Sequence, residues 1–228
     1  SAKKDFWLHD NAHRQQSNNS IMFSKKPTKW EIAYIFDRMV EAGGSEPAFI
    51  NAEAALKRAP HFKGVNPCCE ILLGNKSFCN LVEIDWGKYL DDFEGLKRAV
   101  YLSARANYRQ TCVNLDDGIL QRSWHELNEF LRLCGVGATG IVKWLDHQEY
   151  MYMNVKTMLK TLQAQARLGA NSIADELGLP RAKLVSTIKP SGTLSKVMST
   201  TEGVHRPLGK YLFNNVTFSK FDPIVPIM

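Results

Sequence analysis

Two cysteines stand side by side in the stretch GVNPCCEILL, residues 64–73, with Asn66 two positions before Cys68 and Glu70 two after it. A thiol flanked by an amide and a carboxylate is a reactive set: the sulfur can react, the acid can move a proton and the amide can orient a hydroxyl. Pro67 fixes its own φ and pushes Asn66 toward an extended conformation. Ile71-Leu72-Leu73, closed by Gly74, reads as the start or edge of a buried strand. In extended backbone, side chains alternate between faces, which would put Asn66, Cys68 and Glu70 on one face. Pro67, Cys69 and Ile71 would take the other. Cys68 is then the reactive thiol and Cys69 its buried, inert neighbour.

A second candidate is STIKPSGTLSKV, residues 186–197. A strand ending near Ile188 runs into Pro190-Ser191-Gly192-Thr193 and then into a helix-compatible piece. Backbone N–H groups in such a strand-to-helix turn converge on anions, and hydroxyls add donors. It is not a Walker loop, and an ordinary capped turn has the same composition. CGVGATG, residues 134–140, nominally fits G-x-G-x-x-G. It follows a helical stretch rather than a strand, so a helix stop with close packing is the expectation.

The elements that must position these groups are well marked. TKWEIAYIFDRMVEAGG carries a capping box, Thr28 with Glu31, and an apolar stripe of Ile32, Ile35, Phe36, Met39 and Val40, with Gly43-Gly44 as the stop. DDFEGLKRAVYLSARANYRQ is acidic at its start and basic at its end, as a helix dipole favours. Ser123 with Glu126 suggests a second capping box before LNEFLRLCG. Helix is expected from about 149 to 168, with a short one over 172–177. FCNLVEI (78–84), KLVSTI (183–188) and YLFNNVTF (211–218) read as strands. Strands alternating with long helices, at crossover rather than hairpin distances, predict an α/β fold in one continuous domain, residues 1–228.

The 228 residues are 44% hydrophobic and 23% charged, ordinary for a globular chain. No apolar run reaches the roughly 20 residues that span a bilayer. SAKKDFWLHDNAHRQQ lacks the apolar core of a signal peptide, so a cytoplasmic location and no membrane partner are expected. The formal charge of +6 is scattered, with no run of Lys and Arg longer than two residues. That pattern suits a nucleotide-sized anion better than a nucleic acid. Five cysteines (68, 69, 79, 112 and 134) are an odd number, and none form a C-x2-C pair, so neither a disulfide scaffold nor a zinc site is expected.

Asn66-Pro67-Cys68-x-Glu70 resembles the active-site loop of ribonucleotide reductases. RQQSNNSI (14–21), EPAFIN (46–51), FCNLVEI, GVGATG (135–140) and IKPSGTLSKV (188–197) resemble reductase segments in the same order. The resemblance covers nearly the whole chain and implies part of a ten-stranded α/β barrel with a central finger loop carrying the reactive cysteine. It implies that Cys68 forms the thiyl radical and takes the 3′ hydrogen of a ribonucleotide, that Glu70 is the general base, and that Asn66 orients the sugar. By the same resemblance Cys79 belongs to the redox pair, and Pro190, Ser191, Gly192, Thr193 and Leu194 bind substrate phosphates. Cys112 and Cys134 look structural.

The Cys68-to-Cys79 interval and the wording of FCNLVEI are most like the adenosylcobalamin-dependent class. This implies adenosylcobalamin as cofactor, a ribonucleoside di- or triphosphate as substrate and an external dithiol, such as a thioredoxin-like protein, as reductant. Further family elements are expected on a complementary reductase polypeptide, the chain being an internal or C-terminal portion, excised or the product of a split gene. The alternatives are a metal-dependent class I large subunit, a non-catalytic nucleotide-binding or assembly module of a split reductase, and a Cys–His thiol enzyme drawing on His9, His13, His61, His125, His147 or His205.

Overall fold

A computed structural model of the chain describes residues 17–115 and 118–207, with the single positions 209, 211 and 223. Strand β1 (Ser20–Phe23) pairs in parallel with β2 (Ala48–Asn51), and helix α1 (Lys29–Ala42) makes the crossover. Helix α2 (Ala52–Arg58) follows at once, its first turn capped by the Asn51 side chain. Strands β3 (Gly64–Val65) and β4 (Leu72–Leu73) pair antiparallel, and the double-cysteine stretch is the loop between them. Strand β5 (Leu81–Asp85) pairs in parallel with β6 (Gly135–Thr139), and their connection carries α3 (Phe93–Gln110) and α4 (Arg122–Leu131). Helices α5 (Ile141–Tyr150), α6 (Val155–Leu177) and α7 (Thr193–Val197) follow. The fold is mixed α/β. Among the described residues no helix is long and apolar enough to cross a membrane.

The main core lies between the β5–β6 pair and helices α3, α5 and α6. Leu96, Val100, Ala104 and Tyr108 recur at helical spacing along one face of α3, and all are buried. Helix α6 answers with Met158, Leu162, Ala166, Ala170 and Ile173. Small residues let the two helices come close: a Cβ at Gly169 would lie 2.3 Å from the Tyr101 carbonyl oxygen. Trp86 and Trp144 meet edge to face at 5.2 Å beneath α5. On the outside, Arg105 grips Glu176 with two hydrogen bonds of 2.6 and 2.7 Å. A smaller cluster of Ala52, Ala55, Ala59 and Phe62 packs with Val65, Leu72 and Leu184. It seats the β3–β4 hairpin against the segment that follows α6.

Several sequence expectations are corrected. Residues 135–139 of CGVGATG form a buried strand, not a helix stop; α4 instead ends at Arg132, in the left-handed conformation. Gly135 serves strand packing, since a Cβ there would lie 2.4 Å from Leu81 Cδ2. Helix α4 starts before Ser123, whose hydroxyl accepts a 2.9 Å hydrogen bond from Lys76 Nζ instead of capping. The break expected after residue 168 is absent: α6 runs unbroken to Leu177, and the chain turns at 151–154 instead. KLVSTI forms no regular strand, yet it lies along β6, with Val136 N–H donating to the Val185 carbonyl and Thr187 N–H to that of Val136. YLFNNVTF lies outside the described residues apart from Tyr211.

Helix α1 is capped as its sequence requires, with the Thr28–Glu31 box at one end and Gly43 at φ 64 at the other. None of its residues is buried, however, and Trp30 and Val40 are 85% and 81% exposed. Its contact with the sheet is made through Phe36, which meets Phe49 edge-on at 5.7 Å.

The α3–α6 contact sets the stability of the main core. Gly169→Val will force the two helices apart and destabilise the chain by about 1 to 3 kcal/mol, as overpacking of a tight contact does. A urea titration followed by far-UV circular dichroism measures it, and an unchanged midpoint would contradict the packing argument.

Candidate active site

Residues 66–69 form a tight turn rather than extended strand. Cys69 N–H donates to the Asn66 carbonyl at 2.9 Å, with Pro67 in the second position that proline favours. Cys69 then takes a left-handed φ of 66°. The alternation that would align Asn66, Cys68 and Glu70 along a strand face therefore fails. A buried side chain organises the loop instead. Asn66, 7% exposed, accepts the Ile71 N–H on Oδ1 at 2.9 Å and donates from Nδ2 to Cys79 Sγ at 3.7 Å. Cys68 is left exposed at the apex.

Other segments hold the turn from outside. Asn18 Nδ2 donates to the Pro67 carbonyl at 2.9 Å, and the Ser20 hydroxyl shares a 3.1 Å hydrogen bond with Cys69 Sγ. Asn19 Nδ2 reaches Glu46 at 3.0 Å. The polar SNNS run is thus a buttress. Cys69 is only partly buried and is bonded to that buttress, which corrects its reading as a core-filling neighbour. On the opposite side the Thr187 hydroxyl donates to the Glu70 carbonyl at 3.0 Å.

Cys68 and Cys79, eleven positions apart in sequence, share the field of Glu70 and Lys189. Both thiols are pushed above the ordinary range, first by desolvation and then by the Glu70 carboxylate, while Lys189 pulls both down. At neutral pH both sulfurs are S–H. Glu70 Oε2 is buried with no hydrogen-bond partner among the described residues. Lys189 Nζ lies 3.0 Å from Oε1 of Glu83, whose side chain is 1% exposed. The other Glu83 oxygen accepts from the Ser191 hydroxyl.

The turn before α7 is therefore not an open ring of donors. Ser191 is buried against Glu83, and Ser195 folds back onto the Gly192 carbonyl. Pro190, Gly192, Thr193 and Leu194 are exposed. Lys189, Glu83, Thr187, Asn18 and Ser20 lie in segments singled out from sequence, but none was given a role. The one available signal was Glu83, an acid between Val82 and Ile84 in an apolar strand.

The remaining cysteines lie elsewhere. Cys134 is buried, and desolvation pushes its thiol up to about 12. Cys112 is partly buried and donates to the Tyr108 carbonyl. The charges acting on Cys68 come from Glu70, Lys189 and Cys69, and no described imidazole is among them. His9 and His13 lie outside the described residues. Among the described residues no three of His, Cys, Asp and Glu are grouped to hold a metal ion.

No protein-family model matches the chain. Adenosylcobalamin-dependent ribonucleoside-triphosphate reductases do. That of Lacticaseibacillus paracasei is 26% identical over 95% of this chain, and that of Lactobacillus helveticus 27% identical over the same share. The chain resembles ribonucleotide reductases of the adenosylcobalamin-dependent type. It spans 32% of the length of each of these relatives. Its fold matches the crystal structure of a B12-dependent, class II ribonucleotide reductase with a TM-score of 0.70, 22% identity, and coverage of 88% of this chain and 32% of that one. The class Id reductase alpha subunit of Actinobacillus ureae matches more loosely, with a TM-score of 0.59 and 18% identity over 77% of this chain and 39% of that one.

Glu70 raises both thiols, so removing its charge must lower both. Glu70→Gln will move the alkylation profiles of Cys68 and Cys79 together toward lower pH, while that of Cys134 stays fixed. Iodoacetamide labelling resolved by peptide mass spectrometry reads this. Movement of only one of the two would show that they do not share one field.

Proposed function

We propose that this chain is a catalytic portion of an adenosylcobalamin-dependent ribonucleotide reductase, converting ribonucleotides to 2′-deoxyribonucleotides for DNA synthesis. The observation that carries the reading is the set at the loop apex: an exposed, protonated Cys68 beside Glu70, with Cys79 tied to the same loop through Asn66. The β3–β4 loop would be the finger of a ten-stranded barrel, and β5, β6 and residues 184–187 three of its neighbouring strands. The described residues would then form one domain.

Cys68 would lose its hydrogen atom to become a thiyl radical, take the 3′ hydrogen of the ribose, and return it once the 2′ position is reduced. The raised thiol suits this, because hydrogen-atom transfer needs S–H rather than thiolate. Glu70 would accept the 3′-hydroxyl proton, and its unpartnered oxygen gives a place for it. Asn66 has two amide hydrogens, and with one on Cys79 the other is left to orient the sugar. The 2′-hydroxyl leaves as water. Two thiols supply the two electrons and two protons and end as a disulfide: Cys79 is one, and the second would come from the complementary polypeptide. An external dithiol of thioredoxin type would reduce that disulfide. The exposed segment Pro190 to Leu194, with Ser191 anchoring it from below, would receive the substrate phosphates.

Adenosylcobalamin, when bound, supplies the radical by homolysis of its cobalt–carbon bond. The exposed apex of the loop fits it, since Pro67 and Cys68 are the residues open to a group arriving from outside. A complementary polypeptide accords with two unpartnered apolar surfaces. One is the α1 face with Trp30 and Val40. The other is an apolar cavity of about 660 Å³ between β6, residues 186–188 and α6. A cytoplasmic location accords with making DNA precursors.

The test is turnover of a ribonucleoside triphosphate with adenosylcobalamin and a dithiol, by this chain alone and with the complementary reductase polypeptide. Cys68→Ser is expected to abolish turnover while nucleotide affinity stays at the wild-type level. Full turnover by that variant would sink the radical role. Absence of turnover under both conditions would favour a non-catalytic nucleotide-binding module.

A further inference from the structure

We infer that Glu83 is a positioning residue that holds Lys189 beside the Cys68–Cys79 pair, and that Lys189 is the cation that stabilises negative charge on either sulfur. The geometry is specific. Glu83 lies on β5 with its side chain 1% exposed, and one short segment faces both carboxylate oxygens: Lys189 Nζ forms an ion pair with Oε1 at 3.0 Å without hydrogen-bond geometry, and the Ser191 hydroxyl, on the other side of Pro190, donates to Oε2. A carboxylate this deep must be paired or be lost as a charge, and here both partners flank a single proline. Two attachments on either side of a residue with fixed φ define the direction of the segment. Two residues before Lys189 the Thr187 hydroxyl donates to the Glu70 carbonyl at 3.0 Å, so this segment runs past the cysteine loop, and the Lys189 charge acts on both thiols.

The groups facing the sulfurs can be named. Cys68 meets Glu70, Lys189 and Cys69. Cys79 meets Glu70, Lys189 and Cys68, with the Asn66 amide donating to it. Lys189 is the cation in that set, opposing Glu70. The inference rests on the reductase reading only for why a thiolate would be needed: forming and reducing a disulfide proceeds through thiolate attack and a thiolate leaving group. The arrangement itself also predicts a charge effect in the resting chain. Removing Lys189 leaves Glu70 unopposed and raises both thiols. Removing the charge of Glu83 lets the ammonium leave its place beside the sulfurs, so both thiols rise, by no more than on removal of Lys189 itself.

The experiment is iodoacetamide labelling of the full chain between pH 7 and pH 10.5, resolved by peptide at Cys68 and Cys79, for wild type, Lys189→Met, Lys189→Arg and Glu83→Gln. Lys189→Met is expected to shift both profiles to higher pH, with about a threefold or greater loss of rate at pH 8, since the thiolate is the reacting form. Lys189→Arg should stay near wild type, and Glu83→Gln should shift to higher pH by no more than Lys189→Met. Unchanged profiles in Lys189→Met, or Glu83→Gln profiles that stay at wild type or move to lower pH, would overturn the inference. Should Glu83→Gln fail to fold by circular dichroism, the Lys189→Met and Lys189→Arg pair still decides. The readout needs no turnover, so a failed reductase reading would show in the activity assay and leave these profiles as they are.

Discussion

The Asn66 side chain bridges its own loop to the Cys79 sulfur, and every group around Cys68 depends on that brace. The hairpin strands beside it are two residues each, too short to fix a six-residue loop by themselves. A buried amide that closes the loop from inside supplies what the strands cannot. The buttress from Asn18 and Ser20 and the Thr187 hydroxyl then fix the loop against two other parts of the chain. Three sequence-distant segments therefore meet at one tight turn. That is a larger investment than a surface hairpin needs, and it is what a preorganised reactive group requires.

Charge is arranged with equal economy. Glu83 is buried and would be costly unpaired, so it binds the segment that carries Lys189 and Ser191. The same lysine offsets Glu70 at the thiols. One cation thus serves two acids, which ties β5, the cysteine loop and the approach to α7 into a single electrostatic unit. Helix packing in the main core fixes β5 and β6, and β6 in turn fixes the segment leading to Lys189 through its backbone hydrogen bonds.

Much of the scaffold was legible because its signals are local. The Thr28–Glu31 box, the Gly43 stop and the apolar face of α3 were visible within one or two helical turns of sequence. The loop was misread for a physical reason: Pro67 favours both an extended approach and the second position of a turn, and only the tertiary brace from Asn66 decides between them. β6 was missed because glycines at 135 and 137 look like a stop. Their use for close strand packing depends on Leu81, more than fifty residues away. Glu83 and Lys189, more than a hundred positions apart, have no sequence pattern that could have announced their pairing. The motif residues stand out in the sequence, and the charges around them do not.

The state of the thiol separates two kinds of sulfur chemistry. A nucleophilic cysteine is depressed by an imidazole, a helix N-terminus or a metal, because the thiolate attacks. Cys68 is raised by desolvation and then by its carboxylate neighbour, so at neutral pH it holds a hydrogen on sulfur. That arrangement is poor for attack on an electrophile and good for giving up and regaining a hydrogen atom. Cys79 shares the same field and is raised with it, which keeps a second reduced thiol within reach of the first. Lys189 is then the group that lets this pair shift from holding hydrogen to bearing charge. A site that must do both in one cycle needs a carboxylate and an ammonium in balance around two sulfurs, and the buried Glu83 sets that balance by holding the ammonium in place.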